Sequence, residues 1–120
     1  MSYNPEGQVV MIVPGTLEAG TDKAAHFRAL RAVTITEVYL EVKTAPTGAA
    51  IIVDVNKNGT TLFTTQSNRP QIAISATTGT STTIENNALA AGDLLVVDLD
   101  QVGSTIAGAD LSVHIRGRKS

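Results

Sequence analysis

The sequence predicts an all-β fold, and three observations carry that prediction. Sixteen threonines and repeated Val/Ile pairs dominate the chain, and β-branched residues suit a pleated, half-buried surface better than a helix. Apolar and polar residues alternate with period two in segment after segment. Turn residues interrupt that alternation about every ten residues, the spacing of short antiparallel strands in a β-sandwich or barrel. The expected architecture is one antiparallel β-sandwich of about eight strands.

The elements follow in order. Residues 8–13 form a β-rich run closed by Pro14-Gly15. Residues 24–30 read as a strand, although their alanines also fit a helix. Val33 and Ile35 share one phase, whereas Val38, Leu40 and Val42 share the other. One extra residue restores the register, so a bulge or bend is expected near Thr36 and Glu37. Ile51, Val53 and Val55 begin a hairpin whose turn is Asn58-Gly59, a pair that tolerates positive φ, and residues 60–65 return from it. Residues 71–75, 95–100 and 111–116 alternate in the same way. The small polar stretch 76–83 reads as an exposed loop or a thin edge strand. No segment carries a capped 3.6-residue apolar period, and one turn of helix over 87–91 is the most the pattern allows. The chain reads as a single domain, 1–120, with a short N-terminal arm, 1–8, and a polar C-terminal tail, 116–120.

Composition removes whole classes of function. With 120 residues, a core is possible without disulfide or metal staples. The absence of cysteine excludes thiol nucleophiles and thiolate metal sites. No apolar run approaches the ~20 residues of a membrane helix, and the opening MSYNPEGQ has no signal-peptide pattern. A net charge of −2 and a pI near 5.5 argue against a nucleic-acid partner, which selects a basic face. Neither nucleic acid nor membrane is therefore expected as a partner.

The search for chemistry finds little. His26 and His114 are the only histidines, with no HxH or HExxH spacing, and both read as ordinary surface or interface residues. Asp98 and Asp100, with Asp93 and Asp110 nearby, invite a calcium reading because residues two apart share a strand face. A solvated outer face explains them more simply. Asp54 to Gly59 resembles a calcium loop only superficially, since Asp54 and Asn56 fit strand and hairpin-entry positions. No GxSxG, P-loop or GxGxxG pattern occurs. The expectation is no enzyme: no catalytic residue, no metal site and no cofactor.

What remains are contact residues. Tyr39 is the aromatic expected to face outward from a strand, and beside Asp54 or Asn56 it would make a thin carbohydrate or receptor site. Arg28, Arg31, Arg69 and Arg116 are candidates for partner contacts, where arginine is enriched. Arg116-Gly117-Arg118-Lys119 also forms a basic cluster. Outward β-branched residues such as Ile52 and Val96 imply that a second sheet face is covered too, as a homo-oligomer would cover it.

Several segments carry a resemblance. They are Val13-Pro14-Gly15-Thr16-Leu17, Ala32 to Val38, Thr44 to Phe63, Arg69-Pro70, Leu89-Ala90-Ala91-Gly92-Asp93, Asp100 to Thr105 and Gly108 to Val113. Across nearly the whole chain, this pattern resembles small β-rich virion proteins and fibre domains of tailed bacteriophages. The resemblance implies a jelly-roll-like sandwich, often trimeric, with a structural role and no catalytic or cofactor residues. A single short domain favours a head decoration, or cement, protein over one module of a long fibre. The implied partners are further copies of the chain, as a homotrimer, and the major capsid protein or another virion protein. The implied location is the virion, assembled in the bacterial cytoplasm. The competing reading is a tail-fibre, baseplate or carbohydrate/receptor-binding module at the virion surface.

Overall fold

The computed structural model describes residues 6–119, and every regular element in that range except one 3-10 turn, Gln66–Asn68, is a strand. The strands are β1 (Glu6–Thr16), β2 (Phe27–Arg28), β3 (Val33–Glu41), β4 (Ile51–Lys57), β5 (Thr60–Thr61), β6 (Gln71–Ile72), β7 (Thr78–Ser81), β8 (Ala88–Leu89), β9 (Leu94–Gln101) and β10 (Ala109–Lys119). They pair antiparallel in two sheets. The first sheet runs β1-β10-β3-β7, with β8 also on β3. The second runs β2-β9-β4-β5, with β6 also on β4. Thr34 pairs with Arg118 on one side and Ala88 on the other, which places β8 end to end with β7 along the far edge of β3. By the same argument β5 and β6 share the far edge of β4.

One core lies between the sheets. Leu40, Val113 and Met11 reach it from the first sheet, and Val53, Val55, Val97 and Leu99 from the second. Each comes from the apolar phase of its strand, so period-two alternation sorts the side chains directly into core and surface. Phe63 is fully buried and adds aromatic volume.

Two local expectations hold at residue level. Arg116 pairs with Glu37 and Gly117 with Ile35, which leaves Thr36 as the extra residue of a bulge on β3. Asn58 and Gly59 take φ of 52° and 87°, the left-handed pair that closes a tight hairpin between β4 and β5.

Other expectations are corrected. The strand expected over 24–30 shrinks to Phe27–Arg28, because only these two residues meet partners, Leu95 and Leu94. The returns at 60–65 and 71–75 shorten to β5 and β6, and the chain turns away from β4 between them. In place of a helical turn over 87–91, Ala88–Leu89 pairs with β3; so short a segment gains more from a ladder than from a costly helix nucleus. Of the two readings of 76–83, exposed loop or thin edge strand, the second holds, since the stretch contains the edge strand β7. The C-terminal tail is strand up to Lys119, because β10 is held there between Glu6 of β1 and Val33 of β3. Residues 6–8 of the expected N-terminal arm also belong to β1, and residues 1–5 lie outside the described residues. Where about eight strands were expected, the described residues form ten, four of them only two residues long.

The two long flanks of the fold differ. At one, β6 and β7 bring the sheets into backbone contact: a Cβ on Gly79 would stand 1.7 Å from the Gln71 carbonyl oxygen. Ser81 Oγ donates to the Asn68 carbonyl (2.6 Å) across the same join. At the other flank, β1 and β2 end the two sheets. An apolar cavity of about 220 Å³ opens at one end of the core, lined by Val9, Phe27, Leu30, Ile35, Leu95 and Ile115.

Gly79 is therefore the residue that lets the sheets meet. Replacing Gly79 with Ala forces the β6–β7 join apart, with an expected loss of about 1–3 kcal/mol in denaturant unfolding. Unchanged stability would show that the join tolerates a side chain.

Candidate partner-contact face

The outer face of the first sheet gathers the most varied exposed chemistry of the fold. Three cross-strand rows build it. Gln8, Arg116 and Glu37 form one row, and Val10, His114, Tyr39 and Thr80 the next. Ile12, Ser112, Glu41 and Thr78 form the third. Directly opposed residues on adjacent strands touch, so each row is a line of contacts.

Tyr39 and His114 sit at its centre, with ring centroids 5.7 Å apart and planes inclined at 69°. This edge-to-face arrangement suits aromatic quadrupoles. Gln8 Nε2 approaches His114 Nδ1 at 3.4 Å, and His114 Nε2 lies 3.1 Å from Ser112 Oγ. With Nδ1 accepting from the amide, Nε2 carries the proton and donates to the serine. Glu37 accepts from Thr80 Oγ1 at 2.9 Å and faces Arg116 Nη1 at 3.6 Å. Gln8, Glu37, Tyr39, His114 and Arg116 together line a shallow depression of about 350 Å³. Beside it Val10 and Ile12 are 43% and 51% exposed, a pair of large β-branched side chains left in water.

The structure brings Tyr39 and Arg116 to this one face and distributes the other candidates elsewhere. Arg28 lies on β2 and donates from Nη1 to the Gly92 carbonyl (2.8 Å). Arg31 lines the apolar cavity beside Leu30, which is 89% exposed. Arg69 is half-buried, with Nη1 2.6 Å from Asp100 Oδ2 and Nε donating to Gln66 O at 2.8 Å.

The carbohydrate constellation does not form as expected. Tyr39 belongs to the first sheet, whereas Asp54 and Asn56 lie on β4 of the second. The acids weighed for calcium are held by protein donors. Asp98 accepts from the Asp22 amide (2.9 Å) and from Asn56 Nδ2 (2.6 Å). Asp93 accepts from Asn58 Nδ2 and the Ala90 amide, and Asp110 from the Gly15 amide. Among the described residues, no group of three His, Asp or Glu is placed to hold a metal ion. His26 contacts Asp22 at 2.8 Å, away from His114 on the other sheet.

Ile52 and Val96 are half-buried within the chain. Among the described residues the exposed large apolar side chains are Leu30, Ile74, Ile106, Val10 and Ile12, and of these only Val10 and Ile12 lie on a strand of the first sheet. The sequence carried a signal for these two. Residues 9–13, Val-Val-Met-Ile-Val, are apolar on both strand phases, and only one phase can reach the core.

No protein-family model matches the chain, and no curated protein matches it. Among solved structures, the chain is similar to part of the catalytic unit of a thermostable GH87 alpha-1,3-glucanase from Streptomyces thermodiastaticus strain HF3-3. That match has a TM-score of 0.50 and 13% identity, and covers 97% of this chain and 26% of the glucanase chain. A serine protease of Aeromonas sobria gives a TM-score of 0.44 and 9% identity, over 98% of this chain and 28% of that one. The chain thus spans about a quarter of the length of either protein. The glucanase likeness concerns the fold alone.

Asp54 supplies a test of the second sheet's polar surface. Burial raises its carboxyl above the ordinary range; the Thr61 hydroxyl opposes this, and the charge of Asp100 adds to it. The folded state therefore holds the Asp54 proton more tightly than the unfolded state. Stability falls as pH rises through that titration. Asp54→Asn keeps an acceptor for Thr61 and removes the buried charge. Its melting temperature is expected to exceed the parent's at neutral pH, with the gap closing in acid. A gap that widens in acid contradicts the assignment.

Proposed function

We propose that the chain is a structural virion protein of a tailed bacteriophage, a decoration (cement) protein that binds the outer head surface and stabilises the shell. The observation that carries this reading is the outer face of the first sheet. Exposed Val10 and Ile12 adjoin Tyr39, His114, Glu37 and Arg116, a mixture of apolar, aromatic and arginine groups of the kind that protein interfaces select.

The strand order supports the resemblance on which the reading draws. Taken as shared edge positions, β5 with β6 and β7 with β8 reduce the fold to eight positions. Their order is then first-eighth-third-sixth against second-seventh-fourth-fifth, the order of a jelly roll: β1-β10-β3-β7/β8 against β2-β9-β4-β5/β6. On this reading the two sheets form a jelly-roll sandwich, and the protein acts by contact rather than by catalysis. Copies associate with one another, as trimers, and with the major capsid protein or another virion protein. Many weak contacts repeated over a shell add through effective concentration, which raises the barrier to rupture. The location is the virion, assembled in the host cytoplasm.

A second reading rests on the depression between Tyr39 and His114. With Gln8, Glu37 and Arg116 at its rim, it offers an aromatic surface and polar groups to a glycan on a host receptor. Glycan-array binding that Tyr39→Ala abolishes would favour it.

The cement reading predicts that particles carrying the protein survive heating or osmotic shock that ruptures particles stripped of it. Equal survival of the two preparations contradicts a cementing role, and location at the tail tip in labelled particles favours the second reading.

A further inference from the structure

The four sheet edges are unequal. β2, β5 with β6, and β7 with β8 present segments of two to four residues. Such short edges offer little to an incoming strand, a common protection against unwanted pairing. β1 is eleven residues long, pairs only with β10, and has no other strand along its outer edge among the described residues. Its run 9–13 contains no charge, no proline and no glycine. The devices that protect edges are absent until Pro14 and Gly15, where the register shifts. A row of main-chain donors and acceptors is left facing outward, flanked by exposed Val10 and Ile12.

We infer that β1 is a docking edge for a second copy of this chain, paired antiparallel about a two-fold axis at Met11. Charge and side-chain pattern together select this occupant. The end of the first sheet beside Gln8 carries Arg116, Arg118 and Lys119 against Glu6 and Glu37. The end beside Thr16 carries Asp110 and Glu41 against Lys43. Antiparallel pairing sets the basic end of one copy toward the acidic end of the other, and parallel pairing sets like ends together. Strand parity then limits the register. Outward residues oppose outward residues only when the paired numbers sum to an even value. The register centred on Met11 pairs the run 9–13 wholly with itself: Val9 with Val13, Val10 with Ile12, and Met11 with Met11. It joins two first sheets into one continuous sheet and covers the exposed pair Val10 and Ile12 with their own copies.

The inference shares with the proposed function only the statement that copies associate. A two-fold contact at β1 is compatible with a three-fold contact elsewhere, and together they give an even-numbered assembly. The native chain has no cysteine, so introduced thiols report the contact cleanly. Directly opposed antiparallel residues lie within disulfide reach, about 4.5–5.5 Å between Cα atoms. Val10→Cys and Ile12→Cys protein are prepared separately, and oxidised alone and mixed. The mixture is expected to cross-link several-fold more than either alone. Light scattering is expected to give an even-numbered mass, halved in the double variant Val10→Lys, Ile12→Lys. Both positions are exposed, and unchanged circular dichroism checks that the variant folds. Cross-linking no greater in the mixture, a monomeric or odd-numbered mass, or a mass unmoved by the double variant overturns the inference. Such a result beside protected particles overturns this contact alone; unprotected particles beside the expected cross-link overturn the cement reading alone.

Discussion

The fold depends on a shortage of bulk. With 3% aromatic residues and no tryptophan, the core is filled by Val, Ile and Leu from the inner phases of two sheets. Packing to ordinary interior density with such side chains requires the sheets to approach closely. The approach is closest at the β6–β7 join, where the absence of a side chain at Gly79 permits backbone contact with Gln71. Gly117 relieves a contact within the first sheet, where a Cβ would stand 2.4 Å from Val33 Cγ1 beside the β3 bulge. Long strands form the middle of each sheet, and short ones finish every edge except that of β1.

Much of this architecture is legible in the sequence because a strand's two phases are written residue by residue. Val53, Val55, Val97, Leu99 and Leu111 are inward in the pattern and buried in the fold. The slip at Thr36 and the turn at Asn58-Gly59 are equally local, so both are readable. What is not legible is pairing. Phe27 and Arg28 are strand because Leu95 and Leu94 lie beside them, and their alanine neighbours make no ladder. The polar end of β10 is strand because two neighbours flank it. Local composition cannot register a partner drawn from the other end of the chain.

The contact face was legible in part for the same reason. Tyr39 and Arg116 could each be picked out as outward residues, but their meeting depends on the β3–β10 register, which also supplies His114 and Glu37. Asp54 shows the opposite case. Its alternation places it outward, yet the chain around Thr61 and Arg69 folds over it and leaves it buried. The second sheet's polar groups are thereby consumed in internal hydrogen bonds. The first sheet keeps an aromatic pair, a weakly paired arginine and two exposed aliphatic side chains on one surface. That difference between two outer faces of one small domain is why the functional account rests on the first.

The most direct measurement of this claim is oxidative side-chain footprinting of the free protein and of the protein in its assembled, particle-bound state. The account predicts that labelling of Tyr39 and His114 falls on assembly, while groups on the second sheet such as Val96 and Ile52 keep their rates. Protection confined to the second sheet, with Tyr39 and His114 labelled as in the free chain, would contradict it.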